Sequence, residues 1–128
     1  MAHELVILVW AAALTIVQLV VAILAGIGQV GLPILAGNRD EVPAFTGLAG
    51  RAHRAHRNML ESLVLYAALA LTAVVAARTN SMTALGADLF IAGRAAYALI
   101  YLAGIPWLRT VAWSVAMAGL VLMLLQLV

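Results

Sequence analysis

The stretch Leu5–Asn38, LVILVWAAALTIVQLVVAILAGIGQVGLPILAGN, carries no charge. A helix crosses the ~30 Å hydrocarbon layer of a bilayer in about 20 residues. The stretch is therefore long enough to span a membrane. Gly26, Gly28, Gly31 and Pro33 interrupt its second half, which places a first helix over about 4–30. A secretory signal is a poor description of it. Glu4 stands where such a signal carries basic residues, and the apolar run is too long.

The rest of the chain agrees. Of 128 residues 66% are hydrophobic and 9% are charged, and the mean hydropathy is +1.13. Soluble domains carry roughly 25% charged residues. This composition cannot cover a soluble surface, and it is far too apolar for disorder. With no cysteine, the chain has no disulfide, no thiolate metal site and no cysteine nucleophile of its own.

Working outward, Gly37–Gly50 holds Asn38, Arg39, Asp40, Glu41 and Pro43 and reads as a polar loop. A second helix is predicted over about 48–78, charged in its first turns and apolar from Ser62. Thr79-Asn80-Ser81 makes a turn, with Thr79 or Ser81 as the expected cap of a third helix over about 82–103. Gly104-Ile105-Pro106 ends that helix, and a fourth covers about 107–127. The expectation is an all-α, single-domain integral membrane four-helix bundle over residues 1–128, with antiparallel neighbours. All seven basic residues are arginines. Arg39, Arg51, Arg54, Arg57 and Arg109 fall at the end holding the first and third loops, and Arg78 at the other. The excess of positive charge puts those two loops in the cytoplasm. So few charges leave no basic face for nucleic acid.

The densest polar cluster is Arg51-Ala-His53-Arg54-Ala-His56-Arg57-Asn58-Met-Leu-Glu61. Helical residues three or four apart share a face. Arg51, Arg54, Asn58 and Glu61 thus form one stripe, with Arg57 at its edge. An anchoring collar of snorkelling arginines accounts for Arg51, but not for Glu61, about 15 Å further along the helix. A lone carboxylate in the bilayer costs about 2.5–3.5 kcal/mol on the insertion scale. Glu61 is therefore expected to face inward and be paired, with Arg57 nearest on its own helix. Arg94, Tyr97 and Tyr101 share a face of the third helix, and Arg94 either pairs with Glu61 or Asp88 or contacts a ligand. Arg109 and Thr110 open the fourth helix near the same membrane end as the Arg51–Glu61 cluster. His53 and His56 stand three apart on one helix, which does not make a haem or metal site. A pocket of several cations, one carboxylate, an amide and phenols complements a ligand with carboxylates, an ammonium and an apolar or reactive remainder.

The run Arg54-Ala-His-Arg57-Asn58-Met-Leu-Glu61 resembles the second-helix signature of the MAPEG family, the membrane-associated proteins in eicosanoid and glutathione metabolism. Gly93-Arg94-Ala-Ala-Tyr97-Ala-Leu-Ile-Tyr101 resembles the family's third helix, and Arg109-Thr110 falls where its fourth begins. The resemblance implies a homotrimer that binds glutathione between subunits on the cytoplasmic side of a bacterial inner membrane. It implies that Arg51, Arg54, Arg57, Asn58, Glu61, Arg94, Tyr97 and Tyr101 bind glutathione, and that Arg109 stabilises its thiolate with help from Thr110. The implied activity resembles that of microsomal glutathione transferases: conjugation of lipophilic electrophiles or reduction of lipid peroxides, with glutathione as co-substrate and no metal or haem. The sequence departs from the family at Gly26-Ile-Gly28-Gln29, where members often carry a basic residue. It also has Tyr97 and Trp113 where some members have His and Tyr. A non-catalytic lipid-binding or scaffold protein of the same fold is the alternative. A small drug transporter is disfavoured, because its first helix would need a mid-membrane acid and only Glu4 is present, at the helix end.

Overall fold

The computed structural model describes residues 1–128. It is all-helical: α1 His3–Val30, α2 Leu32–Ala36, α3 Gly47–Val75, α4 Ser81–Ala103 and α5 Pro106–Leu127. Four of these, α1, α3, α4 and α5, are long and apolar enough to cross a membrane. Large apolar side chains such as Val9, Ile16, Leu24, Val64, Leu99 and Leu125 are exposed around the bundle. An apolar surface of that extent belongs in lipid.

Helix ends differ from the sequence expectation where the stop signals are weak. The short α2 was not expected. Gly31 turns the chain at φ 88, and Pro33 sits in the first turn of α2, where its fixed φ suits helix initiation. Helix α3 stops at Val75 rather than near Arg78. Ala77 takes a left-handed φ of 53, and the Arg78 amide donates back to the Ala73 carbonyl at 2.8 Å. This is a glycine-type terminus built without glycine, which no residue type in the stretch announces. Asn80, not Thr79 or Ser81, caps α4. Its side chain accepts from the amides of Met82 and Thr83 at 2.8 and 3.0 Å. Thr83 Oγ1 in turn accepts from the Asn80 amide at 2.8 Å. At the far end of α4, Gly104 adopts the left-handed conformation that closes the helix.

Two ends of the bundle can be told apart by their polar ties. At one, His3 meets Asp88 at 2.7 Å, and the Thr83 hydroxyl donates to the buried Glu4 carboxylate. There too, Arg78 Nη1 donates to the Leu127 carbonyl at 2.7 Å. The starts of α1 and α4 and the end of α5 are thereby tied together. At the other end Gln29 clasps the loop. Its Nε2 donates to the Ala44 carbonyl at 3.2 Å and its Oε1 accepts from the Thr46 amide at 3.0 Å. Gln29 is thus a neutral fastening for the entry into α3.

Between the ends the core holds Met59, Tyr66, Phe90, Leu120 and Met123. Tyr66 and Phe90 stack at 4.4 Å, and the Tyr66 hydroxyl donates to the Glu4 carbonyl at 2.8 Å. Helices α4 and α5 meet backbone to backbone. A Cβ on Gly93 would lie 2.6 Å from the Ala116 nitrogen, so only glycine permits this approach.

Candidate functional site

The close approach at Gly93 seals the next residue. Arg94 is 0% exposed. Its Nη1 donates to Asn58 Oδ1 at 2.7 Å, and its Nε contacts Met59 Sδ at 3.4 Å. The guanidinium lies over the Tyr97 ring, 4.4 Å from the centroid, in a favourable cation–π position. Nη2 has no partner. The single ion pair of the chain is His3–Asp88, so no carboxylate of this chain is in ion-pair contact with Arg94. The expected pairing of Arg94 with Glu61 or Asp88 is therefore replaced by an amide, a thioether and a phenol ring. A desolvated charge held by neutral groups is costly, and a counter-anion relieves it.

Tyr101 joins the other cations to this core. Arg54 Nε donates to its hydroxyl at 2.9 Å, and Arg109 lies over its ring at 4.6 Å. Tyr97 and Tyr101 are in tilted contact at 5.4 Å. Arg54 from α3, Arg94 from α4 and Arg109 from α5 thus converge on one pair of phenols. Guanidinium groups suit carboxylates because their fixed donor fork binds both oxygens.

Four residues of the expected site lie at its margin or away from it. Arg51 is turned to the end of α4, where its Nε donates to the Leu102 carbonyl at 3.2 Å. A cation there satisfies a terminal carbonyl and complements the helix dipole. Arg57 is exposed, in a groove with Phe45, Gly50, His53 and Arg54. Thr110 is exposed, beside Arg109 in sequence. Glu61 requires a correction: it neither faces the interior of this chain nor pairs with Arg57, but stands exposed on the flank of α3. The helical rotation explains this. Asn58 lies about 60° around the helix from Glu61 and takes the position facing α4, which carries Glu61 outward.

Met59 packs in the core and also touches Arg94. No spacing rule separates the two roles. His53 stacks on Phe45 at 4.1 Å, with its Nδ1 against the Ala49 carbonyl at 2.8 Å. Its ring braces the start of α3.

The family model that matches this chain is that of the MAPEG family, over residues 7–128. No curated protein and no solved structure matches it.

Proposed function

The chain belongs to the MAPEG family of membrane proteins in glutathione and eicosanoid metabolism, and from that premise we propose that it binds glutathione and activates its thiol. The observation that carries the reading is Arg94, a buried guanidinium with no carboxylate in ion-pair contact. Glutathione has two carboxylates, one ammonium and one thiol. Arg54, Arg57 and Arg94 supply cations for the carboxylates, Asn58 an amide for the peptide groups, and Glu61 an acceptor for the ammonium. Tyr97 and Tyr101 wall the pocket.

The exposed flank of α3 supports a site shared between subunits. Glu61 is midway along Gly47–Val75, and a carboxylate facing lipid at that depth is costly. A neighbouring copy that covers Arg57 and Glu61 removes the cost and completes the pocket. A homotrimer is the assembly proposed, with the arginine-rich end cytoplasmic in a bacterial inner membrane.

Arg109 lowers the pKa of the bound thiol by its charge, and Thr110 adds a hydroxyl. The thiolate attacks an electrophilic carbon of a lipophilic substrate arriving from the bilayer. A carbon–sulfur bond forms, and the leaving group departs with its electron pair. With a lipid peroxide, sulfur attacks oxygen, the O–O bond breaks and an alcohol leaves. A second glutathione then condenses with the sulfenic acid to give disulfide and water. Holding both reactants together supplies much of the rate, and a dry cationic site supplies charge stabilisation.

The test is thioether formation from glutathione and a lipophilic aryl halide by purified protein. Arg109→Ala is expected to lower kcat by about 100-fold, the scale of losing one transition-state charge partner. Undiminished turnover in that variant overturns the role given to Arg109. Saturable glutathione binding without turnover by the unmodified protein favours the non-catalytic alternative.

A further inference from the structure

A second cavity lies between α1, α3 and α4, with a volume of about 210 Å³. Ten residues line it and nine are hydrophobic, among them Leu14, Ala55, Ala98 and Leu99. The tenth is Gln18, which is 7% exposed. Neither its Nε2 nor its Oε1 has a partner. The other buried neutral polar side chains are satisfied: Thr15 by the Ala11 carbonyl, Ser62 by the Met59 carbonyl and Thr83 by Glu4 and Asn80. Gln18 thus keeps an unused donor and an unused acceptor covered at the wall of an apolar chamber, near the middle of a membrane-spanning helix.

A lone water would find only the two amide atoms of this one side chain, the low end of the two to four polar partners a buried water takes. The chamber is larger than the roughly 150 Å³ cavity that admits benzene in an engineered protein core. It opens to the outer surface of the bundle beside Val17 and Leu99, both well exposed. No cation lines it, so an anionic head would be stranded. No residue of the arginine cluster lines it, although Ala55 of its wall also packs against Tyr97 and Tyr101. On α4 the cavity takes Ala95, Ala98, Leu99 and Leu102, whereas the cluster takes Arg94, Tyr97 and Tyr101.

We propose that this cavity is a second ligand site, in which the Gln18 amide turns into the chamber and holds the uncharged, hydrogen-bonding head of a single-chain lipophile such as an alcohol. The head enters first, donating to Oε1 and accepting from Nε2, and the chain runs out along α1 and α4 into the bilayer. No residue assigned to glutathione lines the chamber.

The test uses the full chain in phosphatidylcholine nanodiscs with a diazirine-bearing octanol as photolabel, and peptide mass spectrometry as readout. Labelling is expected on the 14–21 and 95–102 segments. Excess 1-decanol should compete with it, and n-decane should not. Gln18→Met, similar in shape but unable to offer the same bonds, should reduce labelling at least tenfold. Ala98→Phe, which fills the chamber and leaves Gln18 intact, should do the same. Competition by decane equal to that by decanol overturns the proposal, as does undiminished labelling in Gln18→Met. Absent labelling together with efficient disulfide formation between Gln18→Cys copies also overturns it, and assigns the face to a subunit contact. The chain's lack of other cysteines makes that readout unambiguous.

Discussion

At Arg94 a permanent charge is enclosed by Asn58, Met59 and Tyr97, and none of them is an anion. Two consequences of opposite sign follow. Replacing Arg94 with Met removes an uncompensated buried charge, so the thermal midpoint of the ligand-free protein should stay within a few degrees of the original or rise. The same change should weaken glutathione binding by at least about tenfold, since a charged hydrogen bond contributes roughly 1.5–3 kcal/mol. Calorimetry and equilibrium binding on one preparation check both halves. A large fall in stability with unchanged binding would make Arg94 structural. Arg54, Arg94, Tyr97, Tyr101 and Arg109 were legible in the sequence because a polar group inside an apolar span needs a reason. The roles of Arg51 and Glu61 were not. A long arginine side chain reaches either way along its helix, and Arg51 went to Leu102. The wheel groups Asn58 and Glu61 on one stripe but does not say which of them meets α4.

Among the elements, hydropathy and the glycine–proline punctuation located α1, α3, α4 and α5. Boundaries were readable where the chemistry is overt, as at Gly104 and Pro106. They were hidden where a residue behaves against its type, as Ala77 does at φ 53. The turn from Ala76 to Asn80 ties the start of α4 to the end of α5, and Asn80 is its anchor. Asn80→Ala leaves the amides of Met82 and Thr83 without their acceptor. It should cost about 1 kcal/mol, seen as a lower unfolding midpoint. Because this turn lies at the opposite end from the arginines, glutathione affinity should be unchanged in the folded protein. A loss of binding without a loss of stability would show that the ends are coupled.

On the scale of the whole molecule, four spans could be counted from the sequence, but what covers the flank of α3 could not, because that surface looks outward. Arg54, Arg57 and Glu61 are exposed there, on a helix that otherwise belongs in a bilayer. A homotrimer predicts a protein mass of three times 13.4 kDa, after subtraction of detergent, in light scattering. A mass of one chain would leave Glu61 facing lipid and contradict the shared site. The most direct test of the central claim is equilibrium binding of labelled glutathione to the purified, assembled protein, with Glu61→Gln measured beside it. The account predicts saturable binding that weakens by about tenfold or more in the variant, as expected when a charged partner of the ammonium is lost. Absence of saturable binding to folded protein, or equal affinity in Glu61→Gln, would contradict it.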